Sequence, residues 1–575
     1  MGQLALNRLW CRNILDRLSD AGISEIVICS GGRSAALGAE AFGDARFRAF
    51  LRIDERAATF FALGLARASG RAVAVVTTSG SAVVNTLPAI SEAWVSGVPL
   101  VLISCDRPNS ARASGAPQTL PHLPLSASMT AAQVELAEPA PTISAFEAAR
   151  AAMKEVLVRG LQRNQPVHLN VPLNGETSSI QPDDTLADLS LLAQSSAAAG
   201  PAAPPSPSRA SRASRRGEIA AWAERAGAKA GLRGVIAVGP HPDLSAADIA
   251  RLKEATGYAL VIDAGSDMRR ALPEALDLAD ILVFHPIVIG FAPQIVLHAG
   301  KEMTSPYVET WLRSAGEGRL ALDGARMRGL PGQGSCGATE AAFGADDFGI
   351  LAELLAPGDA AWSSQMLALN AAAQARAPEA NAAAGWNEAT AVFEALQTQG
   401  FDRYFFASSL AVRMGNLWVR AASAAHIDVN RGLNGIDGTL STFFGTLSAK
   451  GERGMLIIGD QAFLHDLPAL ERFEDPPSGV IFLIDNAGPG LLDLVVWNGQ
   501  PPVRGVLHRE TEMDVAAIAR AFGLGYARVG DAGALRQALA DAPPDEMTIV
   551  HALLPDTGLE EAIGDLARRL LGVAG

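Results

Sequence analysis

The sequence predicts an α/β protein made of three doubly wound parallel-sheet domains. Three observations lead there. The chain has 575 residues, too many for one core and enough for about three or four domains. Short apolar runs alternate with segments whose apolar residues recur at helical spacing, as expected of parallel strands joined by crossover helices. Polar and glycine residues gather just past the apolar runs, where open α/β sheets bind ligands. The clearest unit is 455–492, MLIIGDQAFLHDLPALERFEDPPSGVIFLIDNAGPGLL. Met455 to Ile458 and Val480 to Ile484 read as buried strands, and Phe463, Leu464, Leu467, Leu470 and Phe473 as a helix between them.

Composition excludes several classes. Hydrophobic content of 49% with 19% charged residues is that of a globular, soluble chain. A net charge of −14 argues against a general nucleic-acid binder, because phosphate contacts need clustered Lys and Arg. Cys11, Cys29, Cys105 and Cys336 lie far apart without metal-type spacing, which fits unpaired thiols in a reducing cytoplasm. The amphipathic N-terminus has no signal-peptide pattern. The chargeless run 281–300 is punctuated by Pro286, Gly290 and Pro293 and reads as strand–turn–strand in a core, not as a membrane span.

In order, Asn7 to Leu18 reads as a helix with Cys11, Ile14, Leu15 and Leu18 on one face. Strands follow at Ser24–Cys29, Phe47–Ile53, Ala72–Thr77, Pro99–Ser104 and Pro166–Val171. The first ends in Ser30-Gly31-Gly32-Arg33-Ser34. Such a turn is ordinarily a tight βα connection, but the arginine also suits a carboxylate or phosphate. The second ends in Asp54-Glu55-Arg56 at a helix start, where an acid is favoured by the dipole, so helix capping is the reading local sequence prefers for Glu55. The third and fourth end in Thr78-Ser79-Gly80-Ser81-Ala82 and Cys105-Asp106-Arg107-Pro108.

This first domain spans 1–177. Residues 178–216 are Ala-, Pro- and Ser-rich and read as a flexible linker. Residues 217–355 make a middle α/β domain with strands at Gly234–Val238, Leu260–Ile262, Ile281–Phe284 and Ile295–His298. It shows no glycine-rich dinucleotide fingerprint, so a flavin or nicotinamide site is not supported. An Ala-rich connector, 356–385, precedes the last domain, 386–575. There Tyr404–Ser408 is a strand leading to Ser409 and Arg413, and Asp428-Val429-Asn430-Arg431-Gly432 and Gly435-Ile436-Asp437-Gly438 follow. On local sequence Arg413 and Arg431 are equally surface or salt-bridged residues. Gly459-Asp460 and Asp485-Asn486 end the two strands of 455–492. A hydrated Mg²⁺ holding a diphosphate wants such a carboxylate and amide oxygen, and glycines let backbone approach phosphates. An ordinary βαβ unit with a capping Asp explains the stretch as well.

Gly459-Asp460-Gln461 with Asn486 resembles the diphosphate-and-magnesium motif of thiamine-diphosphate enzymes, in the variant form lacking the third Gly. That departure, and Phe463-Leu464-His465-Asp466-Leu467, are similar to the 2-succinyl-5-enolpyruvyl-6-hydroxy-3-cyclohexene-1-carboxylate synthases of menaquinone biosynthesis. The resemblance extends to Ser30-Gly31-Gly32-Arg33-Ser34, where Gly32 stands for a Ser, to Asp54-Glu55-Arg56, Thr78-Ser79-Gly80-Ser81-Ala82, Asp106-Arg107-Pro108, Gln118, Ser409-Leu410-Ala411-Val412-Arg413 and Asn430-Arg431-Gly432. Each motif is weak alone; several in order are specific. The family's middle-domain Gly-Lys-Arg is absent, and Ser305-Pro306-Tyr307 stands in its place. The 488–490 loop also departs from the family's Asn- and Gly-rich run.

The resemblance implies a pyrimidine-binding first domain, a non-catalytic middle domain and a diphosphate-binding last domain. It implies thiamine diphosphate with Mg²⁺ or Mn²⁺, and a cytoplasmic homodimer or homotetramer with shared active sites, without nucleic-acid or membrane partners. Glu55 would bond the aminopyrimidine and promote its imino tautomer. Glu55, Ser79, Gly80, Ile436, Gly459, Asp460 and Asn486 would bind cofactor, with Ile436 as the wedge that bends it. Asp460, Asn486 and the Gly488 carbonyl would hold the metal. Arg33, Arg107, Gln118, Ser409, Arg413 and Arg431 would bind a 2-oxo acid and an acidic acceptor. The implied reaction is decarboxylation of 2-oxoglutarate with 1,4-addition of the succinyl unit to isochorismate. Alternatives are a related carboligase or decarboxylase with another 2-oxo acid or acceptor, and a non-catalytic cofactor-binding relic. Intact Glu55 speaks against the last.

Overall fold

The computed structural model describes residues 3–173, 212–242, 244–285, 288, 291–322, 348–420, 425–486, 513–555 and 559–573. Its described strands form three sheets, all parallel. The first contains β1 (Glu25–Cys29), β2 (Arg48–Arg52), β3 (Val73–Thr77), β4 (Leu100–Asp106), β5 (Ala132–Glu135) and β6 (Val167–Pro172), in the order β2-β1-β3-β4-β6-β5. The second contains β7 (Gly234–Val238), β8 (Ala259–Ile262), β9 (Ile295–Ala299) and β10 (Arg319–Ala321), in the order β10-β9-β7-β8. The third contains β11 (Arg403–Phe406), β12 (His426–Val429), β13 (Gly454–Gly459), β14 (Gly479–Asp485), β15 (Gly525–Val529) and β16 (Met547–Leu553), in the order β12-β11-β13-β14-β16-β15. The first and third sheets therefore share one topology, strand for strand. Central strands such as β3 and β4 are buried along their whole length, as a sheet covered on both faces requires.

By packing, the chain divides into two compact units. One comprises 1–207 with 437–451 and 466–474; the other comprises 208–436, 452–465 and 475–575. The first unit thus gathers two late segments around the first sheet. Its N-terminal helix Gln3–Asp20 buries Cys11, Ile14, Leu15 and Leu18, the face expected from sequence. The helix Glu55–Ser69 lies against the helix Thr439–Lys450 at backbone contact. A Cβ on Gly64 would fall 2.1 Å from the Thr442 carbonyl oxygen, and one on Gly445 would fall 2.1 Å from that of Phe61. The N-terminal turn of Thr439–Lys450 is held by buried Asp466, which accepts from the Ser441 amide at 2.8 Å and from its hydroxyl. Burial pushes the Asp466 carboxyl up to about 6.

In the second unit the middle sheet docks on the third through buried polar groups. Arg269 donates to the carbonyls of Asn416 and Val419, both at 2.9 Å, and the Asn416 amide oxygen accepts from Ala264 N–H at 2.8 Å. Asp267 accepts from the Ile427 amide at 3.0 Å.

Three local expectations are corrected, and a fourth, the helical connector, holds. Ile281–Phe284 is not a strand: the helix Ala279–Leu282 covers its first half, and buried Ile281 and Leu282 pack on one helical face. The segment 463–473 is not one helix. The helix Asp460–His465 stops, and a 3-10 turn Leu467–Leu470 follows, because Pro468 cannot continue the ladder and Asp466 turns away to Ser441. The expected linker 178–216 lies outside the described residues up to 211, and at 212 the helix Arg212–Arg225 begins. The connector 356–385 is largely the helix Ala360–Ala383.

A buried polar chain runs beneath the carboxyl half of the first sheet. Ser104 Oγ donates to Asn170 Oδ1 at 2.7 Å and lies 2.7 Å from His168 Nε2. Ser126 Oγ is 2.7 Å from His168 Nδ1, and Gln133 donates to Ser126 Oγ at 2.8 Å. With the Ser104 proton given to Asn170, His168 carries its proton on Nε2 and accepts from Ser126. The neutral ring is fully satisfied. Burial, aided by His122, pushes His168 down to about 3.

Two predictions follow from this packing. Gly64→Ala is expected to destabilise the protein by roughly 2 kcal/mol in denaturant unfolding, through overpacking. Gly564→Ala, in a helix where the new methyl meets only the tip of Arg568 at 3.7 Å, is expected to be neutral or stabilising. A tolerated Gly64→Ala would refute the backbone contact. For His168, the unfolded chain takes up a proton near pH 6.5 that the folded chain refuses until about 3. Its contribution is complete above that unfolded value and is lost as pH falls, at up to about 1.4 kcal/mol per pH unit. Urea titrations of His168→Gln between about pH 6 and 4 should show a correspondingly flatter pH dependence; an unchanged slope would refute it.

Candidate active site

In the first unit, the strand order places successive turns along one edge of the sheet: Glu55 after β2, Arg33 after β1, Ser79-Gly80 after β3 and Arg107 after β4. The strand order changes direction between β1 and β3, which makes this edge a topological switch point, the usual ligand crevice of such sheets. Arg107 donates to Ser79 Oγ at 2.6 Å and to the Gln118 carbonyl at 3.0 Å, and Gln118 donates to the Ser79 carbonyl at 3.1 Å. Gln118 has a left-handed backbone, φ +62°, held by these bonds. Gly80 ends the turn at φ +81° and caps the helix Ser81–Ser96; a Cβ there would strike Gln118 Cγ at 2.7 Å. Arg33 donates to the Leu173 carbonyl at 3.2 Å. Burial and then neighbouring Arg107 push its guanidinium below the usual range. So Arg33, Ser79, Gly80, Arg107 and Gln118 form one cluster.

Glu55 stands at the far end of that edge. Asp54 caps its helix by accepting from Ala57 N–H at 2.8 Å. Its side chain is half-buried, with Asn85 Nδ2 at 3.5 Å from Oε2. The turn before it is held from the 466–474 segment. Glu471 accepts from the Ile53 amide at 3.1 Å, and Arg52 lies sandwiched between Phe61 and Phe473, at 4.3 and 3.7 Å from the ring centroids. The capping role local sequence prefers belongs to Asp54, which leaves the Glu55 carboxylate for other work.

In the second unit the same topology sets out a second row. Asn430-Arg431 follows β12, Ser408-Ser409 follows β11, Gly459-Asp460 follows β13 and Asp485-Asn486 follows β14. Gly459 pairs with Ile484, so Asp460 and Asn486 leave neighbouring strands at nearly one level. Asp460 is buried and opens the helix Asp460–His465. The space beside Gly459 is open, with no atom within 4 Å of a Cβ built there. Asn486 Nδ2 donates to Glu388 at 2.9 Å, which leaves its amide oxygen as the acceptor or ligand. Behind it, Asp485 is bonded to His551 at 2.9 Å, and His551 to the Tyr526 hydroxyl at 3.2 Å. Gly488 lies outside the described residues. Ser409 takes φ +76° and its carbonyl accepts from Arg413 at 3.0 Å. Ile436 is half-buried in the loop between Arg431 and the Thr439 helix.

Arg413 is pushed below the usual guanidinium range by burial and then by Arg431, with Asp280, Asp263 and Tyr307 as further charge neighbours. Asp280 bonds Ser305 and Asn416, and burial pushes its carboxyl up to about 6. Thus Ser305-Pro306-Tyr307, which replaces the expected cationic tripeptide, brings a hydroxyl and an exposed tyrosine packed edge-on against Phe284 at 4.8 Å.

The residues fit a diphosphate cofactor with a hard divalent cation. Each row offers glycine at a strand end, and the second adds a carboxylate and an amide oxygen. Among the described residues no three His, Cys, Asp or Glu side chains converge on a metal position, so most ligands would come from phosphate and water, as Mg²⁺ prefers. Sequence reasoning missed Asn85, Glu388, Glu471, His122, Asn170 and Asp280. All act across long chain separations, and no local pattern marks them.

Among the described residues no helix is long and apolar enough to cross a membrane. Residues 11–125 match the thiamine pyrophosphate enzyme N-terminal TPP binding domain. A 2-succinyl-5-enolpyruvyl-6-hydroxy-3-cyclohexene-1-carboxylate synthase of Myxococcus xanthus is 31% identical over 526 residues, covering 88% of this chain and 86% of that protein. Synthases of the same name from Halobacterium salinarum and Roseiflexus castenholzii are both 29% identical; they cover 99% and 92% of this chain and are covered over 99% and 93% of their own lengths. The chain therefore belongs to the 2-succinyl-5-enolpyruvyl-6-hydroxy-3-cyclohexene-1-carboxylate synthase family and is a thiamine-diphosphate-dependent enzyme.

Proposed function

We propose that the enzyme decarboxylates 2-oxoglutarate and adds the resulting succinyl unit 1,4 to isochorismate, the reaction of menaquinone biosynthesis implied by its relatives' name. The observation that carries this reading is a pair of arginines at each row, Arg33 with Arg107 and Arg413 with Arg431. Burial and the like charge of its neighbour disfavour the cationic form of Arg33 in the first pair and of Arg413 in the second. Mutually repelling, partly desolvated cations at a ligand edge are stabilised by bound carboxylates, and a dicarboxylic 2-oxo acid with an acidic acceptor supplies several.

Thiamine diphosphate, when bound, supplies the electron sink for the carbanion that decarboxylation leaves. The chain's residues have these roles in the proposal. Glu55 holds a proton at the aminopyrimidine ring nitrogen. Ser79, Gly80, Gly459 and Ile436 cradle the cofactor. Asp460, Asn486 and the Gly488 carbonyl hold Mg²⁺ or Mn²⁺. Arg33, Arg107, Gln118, Ser409, Arg413 and Arg431 orient the substrates' carboxylates and hydroxyls. Residues 1–177 form the pyrimidine-binding domain and 386–575 the diphosphate-binding domain, in a cytoplasmic homodimer or homotetramer. A second reading, the same chemistry on another acceptor, is favoured by Tyr307 and Ser305 beside Arg413 where a Gly-Lys-Arg is expected.

The test is CO₂ release by purified protein with thiamine diphosphate, Mg²⁺ and 2-oxoglutarate, with and without isochorismate, and the product weighed by mass spectrometry. Sharp acceleration by isochorismate with the adduct mass is expected. CO₂ release indifferent to isochorismate would move the assignment to the second reading, and an ignored 2-oxoglutarate would sink both donor and acceptor. Glu55→Gln is expected to abolish turnover while thiamine diphosphate still binds and the fold persists; near-full activity would refute the role of Glu55.

A further inference from the structure

His122 is fully buried behind the turn that ends β3. Its Nε2 lies 3.1 Å from the Gly80 amide nitrogen. An amide only donates, so Nε2 must accept and carries no proton. The ring proton therefore sits on Nδ1, which donates to Asn170 Oδ1 at 2.9 Å. Asn170 is itself immobilised. Its Oδ1 also accepts from Ser104 at 2.7 Å, and its Nδ2 donates to Asp106 at 3.2 Å and to Glu135 at 3.0 Å. The rigid polar chain under the sheet thus ends in a single acceptor aimed at Gly80.

Above that acceptor lies Ser79-Gly80, which carries the Arg107 and Gln118 bonds described above. Gly80 and Gln118 both hold left-handed backbones, a conformation that costs about 1–3 kcal/mol for a non-glycine residue unless its surroundings impose it. Among the described residues, His122 is the side-chain acceptor of the Gly80 amide.

We propose that His122 is a positioning residue: as the neutral Nδ1–H tautomer it anchors the Gly80 amide and so sets the Ser79–Arg107–Gln118 cluster for substrate binding. The kinetic part of this inference rests on the proposed function; the structural part does not. The charged and titratable groups around the ring are Asp106 at the end of β4, Glu135 on β5, His168 on β6 and Arg112 on the helix Asn109–Ala113. Asp106 Oδ2 is 3.4 Å from Nδ1. Arg112 pairs with Asp106 at 3.3 Å and with Glu135 at 2.7 Å.

The test compares wild type, His122→Gln and His122→Leu as full-length protein. Glutamine keeps an acceptor for Gly80 and a donor for Asn170; leucine keeps neither. Hydrogen exchange of the peptide containing Gly80 is expected to match wild type in His122→Gln and to quicken about tenfold in His122→Leu, as a lost local bond allows. This arm needs no turnover, so failure of the assigned reaction leaves it decisive. In kinetics, His122→Leu is expected to lose about tenfold to a hundredfold in kcat/KM, mainly through KM for the acidic substrates. His122→Gln should recover most of that loss. Unchanged exchange in His122→Leu, or a loss in His122→Gln as large as in His122→Leu, would overturn the proposal. If His122→Leu does not fold, His122→Ala takes its place with the same expected and overturning outcomes.

Discussion

The helix that carries Glu55 and the helix Thr439–Lys450 touch at their backbones through Gly64 and Gly445. Neither position admits a methyl group, so the distance between the helices is fixed by main-chain atoms rather than by side chains that can repack. Much else in the first unit is subordinate to that contact. Asp466 leaves the 460–470 segment to hold the first turn of the second helix, and the stretch after it delivers Glu471 and Phe473 to the turn before Glu55. Arg52, pressed between two aromatic rings, closes the same turn. The carboxylate on which cofactor activation is proposed to depend is therefore held by glycine packing, a buried carboxyl and an aromatic clamp, none of which is catalytic.

The two six-stranded sheets repeat one strand order. Because the order reverses direction at its second and third positions, each sheet opens a crevice at the carboxyl ends of its strands. Each row is then furnished differently. The first carries a helix-starting glutamate, a hydroxyl–glycine turn and two arginines. The second carries a buried aspartate, an amide and two arginines. In the proposed function, a bound carboxylate relieves the like-charge repulsion within each arginine pair.

The middle domain contributes by its departures. Arg269 and Asn416 lock it onto the third sheet with buried bonds, and this places Asp280, Ser305 and Tyr307 around Arg413. A hydroxyl, a phenol and a buried carboxyl stand there instead of a lysine–arginine pair, and this departure is what favours the second reading of the acceptor.

The sequence by itself determined the fold class, the positions of most central strands and the motifs at their ends. Apolar runs of strand length have few alternatives to burial in a parallel sheet, and glycine with polar residues at their ends has few purposes other than tight turns and ligands. Ile281–Phe284 misled because a short apolar run reads alike as strand or buried helix. The helix expected over 463–473 failed because Asp466 serves a partner 25 residues away. Only the tertiary structure decided that Asp54 rather than Glu55 does the capping, that Gln118 joins Arg107 and Ser79, and that His122 and Asn170 stand beneath them. Those relations are set by pairing between strands and helices distant in the chain, where geometry, not local propensity, chooses the partners.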